Sequence, residues 1–294
     1  MFFTNFRKLV YFLIFCFATI INYSCSSTKK FARQGFFDAK HEIIWSVNFI
    51  EDTINMTMGN EDWFVLKVGD NFSYGDSYRK SQLDSIQNLP REEFHFWLRS
   101  HLEDLSRGIE VNTLFWSSSL CRALVYKDYE NKKISVIDHV STHLFKYEEE
   151  LIPQDWVIHD ETTDIAGYVC QKAVCHWRGR DWVAWFTQEI PISEGPWKFH
   201  GLPGLIIKIY DTKHHYEFEL VRFESVEKKI DIQPLFTNKI NYFGVKKLTK
   251  IERKTFLETK FGERGRLISE AEMARVGLNP NRVELKYGYI ELDY

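Results

Sequence analysis

The segment that most limits the fold runs from residue 165 to residue 186. It reads IAGYVCQKAVCHW, then the polar Arg178-Gly179-Arg180-Asp181, then WVAWF. Strand side chains alternate between faces, so two β-type runs around a short polar break predict an antiparallel hairpin about a four-residue turn. In the returning run Trp182, Ala184 and Phe186 share one face, with Val183, Trp185 and Thr187 on the other. Both faces are largely apolar. Such strands need a covering layer on each side, or a sheet that curves around a hydrophobic concave face.

The flanking chain repeats this texture. HEIIWSVNFI (41–50) reads as a first strand with WFVLKV (63–68) as its partner. CRALVYKDY, KKISVIDHV, HLFKYEEEL and DWVIHDETT follow from Cys121 onward, then HYEFELVRFESVEKKIDI, and NRVELKYGYIELDY closes the chain as one or two more strands. Residues 70–88, of mixed polarity around Gly75, read as an irregular excursion. One amphipathic helix is expected over 90–108. Pro90 suits its first turn, Glu92 and Glu93 its positive end and Gly108 its stop, while Phe94, Trp97, Leu98, His101, Leu102 and Leu105 form one face. A polar helix is expected around 250–260. The 24 Phe, 14 Tyr and 9 Trp favour strands and large packed surfaces. The expected fold is mainly β (α+β): a single curved antiparallel sheet or open barrel with one or two packing helices.

The N-terminus speaks to compartment. Arg7 and Lys8 precede an apolar run from Leu9 to Ile21, too short for a comfortable permanent span, and Asn22, Tyr23 and Ser24 lead into Cys25. Residues 1–24 are therefore read as a signal peptide, 25–40 as a tether and 41–294 as one β-rich domain. Lipidation at Cys25, ordinary secretion with cleavage nearby and an uncleaved anchor all put the folded part outside the cytoplasm, in the cell envelope. Membrane attachment is expected only through the Cys25 lipid. With Cys25 modified, Cys121, Cys170 and Cys175 allow at most one disulfide among them. Cys121 with either of the others, or three free thiols, are the alternatives, because Cys170 and Cys175 point to opposite faces of an extended segment.

A formal net charge of −3 gives no global pull towards nucleic acid. The stretch GPWKFHGLPGLIIKIYD (195–211) invites a phosphate-loop reading, which its chemistry opposes. Pro196 and Pro203 remove two N–H donors, and the apolar LIIKIY that follows is a strand with no helix dipole behind the turn. The alternative is two rigid pivots. Pro191 stops ladder pairing, Gly195-Pro196 turns the chain, and Leu202-Pro203-Gly204-Leu205 suits a type II turn with glycine at the positive-φ position. Trp197 and Phe199 between the pivots face either the core or a guest.

These residues carry a resemblance. Gly201 to Ile206 is GLPGLI verbatim, and with GYVCQKA (167–173) and AWFTQEIPISEGPWKF (184–199) the region 156–220 resembles the GLPGLI family of secreted or envelope proteins of Bacteroidota. The resemblance implies an extracytoplasmic, single-domain, β-rich protein, similar in architecture to envelope lipoprotein carriers, and supplies no catalytic residues.

Other chemistry is sparse. His214 and His215 are adjacent, His95 and His101 lie too far round a helix for one ion, and neither H-E-x-x-H nor C-x-x-C occurs, so no metal and no cofactor is expected. Ser117, Ser118, Ser119 or Cys121 could pair with His139 or His143, but there is no G-x-S-x-G elbow. The expectation is a noncatalytic envelope protein binding a hydrophobic molecule, a peptide or an envelope partner. Trp182, Trp185, Trp197 and Phe199 would supply contact, with Gly195, Pro196, Gly201, Pro203 and Gly204 shaping the loop. The alternative is an extracytoplasmic hydrolase or thiol enzyme with a site outside known motifs.

Overall fold

The structure is a computed structural model that describes residues 35–50, 59–78, 123–140, 143–232, 248–264 and 290–293, with isolated positions between 90 and 96. Cys25, Cys121, most of the 90–108 helix and residues 281–289 of the expected terminal strands lie outside the described residues.

The strands are β1 (Phe36–Ile50), β2 (Gly59–Val68), β3 (Phe72–Ser77), β4 (Leu124–Asp128), β5 (Lys133–Val140) and β6 (His143–Glu150). They continue with β7 (Val157–Ile165), β8 (Tyr168–Trp177), β9 (Arg180–Thr187), β10 (Leu205–Asp211), β11 (Tyr216–Asp231) and β12 (Leu248–Lys250), and the helix α1 spans Arg253–Arg264. All twelve strands form one open sheet in the order β12-β6-β5-β4-β3-β2-β1-β11-β10-β9-β8-β7. Every pairing is antiparallel except β12 with β6. The mainly β reading, with a packing helix near 250–260, is what the chain adopts.

Boundaries differ where short-range pattern was weak. β1 starts at Phe36, inside the segment read as tether, because Phe37 and Ala39 are buried and continue the strand alternation. The excursion over 70–88 contains β3, whose six residues pair with β2 and β4. The 165–177 run is not one strand. It breaks at Ala166-Gly167 (φ 52° and 83°), which turn β7 into β8, and Arg178-Gly179 (φ 53° and 75°) turn β8 into β9. Two central residues with positive φ make both turns type I′, the twist-matched hairpin connection, so each loop is two residues rather than four. Ala166 is the poorer fit, since a Cβ in the left-handed region costs roughly 1–2 kcal/mol and asparagine tolerates it better. Ala166→Asn is therefore expected to raise unfolding free energy by about 0.5–1 kcal/mol, measured by urea denaturation; a loss of stability would contradict the turn assignment.

The sheet curls. β4 and β6 stand far from β9 in the strand order, yet Lys127 of β4 contacts the β9–β10 loop, and Arg178 of the β8–β9 turn pairs with Glu149 of β6. The main core lies on the inner face, with Trp45, Phe64, Trp182, Phe186, Phe218 and α1's Phe256 among its residues. Alternation in β4 sends Val125 into this core and Leu124 and Tyr126 into a smaller cluster with Phe37, Phe72 and Leu248 on the opposite face. The free edge at β7 is exposed along eight of its nine positions and carries His159, Asp160, Glu161 and Asp164, charge that discourages edge-to-edge pairing.

Candidate functional site

The β9–β10 connection, residues 188–204, fills the space inside the curl. Its backbone is tightly bonded: Ile192 N donates to Ile190 O (2.8 Å), Glu194 N to Ile192 O (2.7 Å), Phe199 N to Pro196 O (3.1 Å) and Ile206 N to Glu194 O (3.0 Å). The pivots are real, but the second is not the expected type II turn. Gly204 N bonds Leu202 O at 2.8 Å, a three-residue γ-type closure about Pro203, while Leu205 N goes to Ile190 O. Glycine is needed at 204 for close approach: a Cβ there would sit 2.0 Å from the Thr187 carbonyl oxygen. At Gly195 the added Cβ would meet Ile206 at 2.7 Å, and at Gly201 (φ 95°) it would meet Pro153 at 2.5 Å.

Of the two readings left open for the aromatics, the fold places three rings in the core. Trp182, Trp197 and Phe199 are buried, and Phe199 packs edge-on to Trp182 at 4.6 Å and against Trp177 at 5.0 Å. Trp185 is half-buried on the outer face, with Lys172 over its ring, so the four do not line one cavity. Pro196 is buried and Pro203 exposed.

The loop instead delivers polar groups. Glu194 is buried and accepts hydrogen bonds from the Lys127 ammonium and the Tyr129 hydroxyl, with Ser73 Oγ at 3.5 Å. Lys127, with no exposed surface, also donates to Phe199 O at 3.0 Å. Burial pushes the Lys127 ammonium below its ordinary value, opposed by Glu194. Burial and the Glu194 charge together hold the Tyr129 hydroxyl well above its own, so it remains a donor. Four residues after Glu194, Lys198 is equally buried and pairs with Glu149, Glu291 (2.7 Å) and the Tyr147 hydroxyl (3.1 Å). Arg253 and Arg178 close that cluster onto Glu149, Glu291 and Asp293, which ties the C-terminal segment to the loop.

His200 completes the group. Its N–H donates to Gln154 Oε1 (3.0 Å), its carbonyl accepts from Trp156 Nε1 (2.9 Å), and its ring Nδ1 lies 3.0 Å from Lys198 O. A carbonyl can only accept, so Nδ1 carries the proton and, in the neutral ring, Nε2 keeps its lone pair. That Nε2 is buried without a hydrogen-bond partner among the described residues, as is Nδ1 of His41. Burial, helped by the Lys127 charge, lowers the His200 pKa below 6.5. Both rings line a cleft of ≈ 470 Å³ with Tyr129, Ser193, Glu194 and Gly201, walled by Val68, Pro153, Pro191 and Ile192. A depressed folded-state pKa contributes stability that is full above 6.5 and lost as pH falls through the folded value. Unfolding free energy should accordingly drop between pH 7.5 and pH 5, and His200→Asn should flatten that drop relative to wild type in urea titrations.

Glu194, Lys127, Tyr129, His200 and His41 were not singled out from sequence. One signal existed: Lys127 shares its alternation with Ala123 and Val125, so the pattern places it on an inward face of β4. Among the residues considered for hydrolysis, Ser117, Ser118, Ser119 and Cys121 lie outside the described residues, and His143 is exposed. Cys170 and Cys175 are buried and free, with burial pushing their thiols up to about 11 and about 12, values that suppress the reactive thiolate. Among the described residues no three His, Cys, Asp or Glu side chains converge as a metal set.

The loop is also where a family match falls. Residues 178–208, from the β8–β9 turn into β10, match the model of a family described as a protein of unknown function (Porph_ging). No curated protein matches the chain. Among solved structures it is similar to PNGF-II in two crystal forms. Identity is 15% and the TM-score 0.47 in each, over 77% of this chain and 34% and 33% of those chains. The chain thus spans about a third of the proteins it matches. The expectation that the chain is not an enzyme is withdrawn in view of this similarity. At 15% identity and a TM-score of 0.47 the likeness assigns no activity to the chain.

Proposed function

We propose that the chain is a GLPGLI-type extracytoplasmic envelope protein that takes a small guest in the cleft beside the 188–204 loop. The observation that carries this reading is the pair of unpartnered imidazole nitrogens, His200 Nε2 and His41 Nδ1, in an interior whose other charged groups are closely paired. Leaving a buried polar atom unpaired costs about 1–3 kcal/mol, a deficit that a guest's polar group would relieve. Val68, Pro153, Pro191 and Ile192 offer apolar contact, so a guest with a hydrophobic body and polar substituents, such as a short peptide segment, fits better than a purely hydrophobic one. The N-terminal run ending at Cys25 supports an envelope address.

Hydrolysis in the same cleft is a second reading, favoured by the fixed tautomer of His200. A neutral imidazole held through Nδ1, with its Nε2 lone pair available, has the state a general base requires. Mass spectrometry of the protein gently extracted from its native membranes tests the binding reading. A lipidated Cys25 N-terminus and a co-purifying small molecule that is lost from Ser193→Trp, in which the cleft mouth is blocked, are the expected results. An unmodified N-terminus elsewhere would remove the anchor. A protein equally empty in wild type and variant would remove the guest.

A further inference from the structure

The polar groups of the cleft also restrict which guests it accepts. Its lining carries Glu194 and Asp70 against one lysine, Lys40, whose ammonium is already paired with Asp70 at 2.7 Å. Lys127 lies behind the lining with Glu194 and the Phe199 carbonyl as partners, and the Tyr129 hydroxyl donates to the same carboxylate. Gly201 N–H, at the rim, donates to Ser193 Oγ at 3.1 Å. The ammonium groups that an anion would seek are therefore already neutralised by carboxylates. What the site offers is acceptor capacity: the Nε2 lone pair of His200, on a residue more than nine-tenths buried and held from three sides by Gln154, Trp156 and the Lys198 carbonyl.

Resting on the guest-binding reading above, we propose that the cleft selects guests that present an N–H or O–H donor to His200 Nε2 and carry no negative charge. Amides and alcohols of small size belong to this class; carboxylates and phosphates do not. Selection of this kind is strong in a dry site, because a guest without the donor leaves the buried nitrogen unpaired.

A matched set of probes tests the inference on the whole mature protein: benzamide, N,N-dimethylbenzamide and benzoate, read by saturation-transfer NMR and by the ¹⁵N shifts of His200. The donor-bearing benzamide is expected to bind about 3- to 10-fold more tightly than its dimethyl counterpart, to move the His200 Nε2 resonance, and to outcompete benzoate. His200→Phe should abolish the difference between the two amides. The comparison in wild type needs no variant, so it stands even if that substitution fails to fold. Equal binding of the two amides, or preferred binding of benzoate, would overturn the donor selectivity while leaving a guest-binding cleft in place. Failure of all three probes to bind at millimolar concentration would overturn both readings.

Discussion

Lys198→Met should destabilise the protein by roughly 3–5 kcal/mol, the usual cost of breaking a buried ion pair from one side. Lys198 has no exposed surface and lies between Glu149 and Glu291, with the Tyr147 hydroxyl as a further partner. Burial alone would lower the lysine pKa; the two carboxylates reverse that and raise it, which favours the charged ammonium. Glu291 is held far down the carboxylate range by Lys198 and Arg253 against the opposing effect of burial. Methionine keeps an apolar stem as far as Cε and removes the ammonium with its hydrogen bonds, leaving Glu149 and Glu291 dependent on Arg178 and Arg253. Glu291→Gln should cost less than Lys198→Met, and the double variant should fall short of the sum, because the two changes remove one shared interaction. Urea denaturation of the four proteins measures this. A single-variant loss below about 1 kcal/mol would mean that the cluster is solvated and exerts the small effect typical of surface pairs.

Gly204→Ala should be the most damaging single methyl addition in the loop. The new Cβ would lie 2.0 Å from Thr187 O and 2.7 Å from Thr187 C, so both colliding atoms are backbone and no rotamer change relieves them. Relief requires opening the Leu205–Thr187 pair that starts the β9–β10 ladder and the Leu205 N to Ile190 O bond beside it. A loss above about 4 kcal/mol, or failure to accumulate folded protein, is expected. Gly167→Ala provides the contrast. Its φ of 83° is also unfavourable for alanine, but nothing lies within 4 Å of the added carbon, so only the conformational cost of roughly 1–2 kcal/mol applies. Equal effects at the two sites would show that φ, rather than close approach, explains the glycine at 204.

Local pattern carried much of the architecture. The alternation of Ile43, Trp45, Val47 and Phe49 in β1, or of Trp182, Ala184 and Phe186 in β9, announces inward faces, and the Gly/Pro pivots around 195 and 203 announce abrupt turns. Errors arose where one residue decides. Ala166 looks like part of an apolar strand, yet with Gly167 it reverses the chain, a conformation that alanine rarely adopts. β3 is short and includes Ser73, Asp76 and Ser77, whose burial follows from partners elsewhere in the sheet rather than from hydrophobicity. The loop's aromatics drew attention because large rings at glycine turns resemble a binding surface; the structure uses Trp182, Trp197 and Phe199 as filling. Glu194 and His200, flanking the same rings, carry the polar chemistry.

By itself the sequence determined the class: one β-rich chain with strand periodicity and turn residues that end those strands. Such features are local, because side-chain alternation and the φ demands of glycine and proline act over a few residues. Only the tertiary structure decided that the sheet would curl until Lys127 met Glu194 and Lys198 met Glu291, pairs separated by 67 and 93 positions. Which charges neutralise each other, and which imidazole nitrogen stays without a partner, depends on contacts whose distance along the chain leaves no periodic trace.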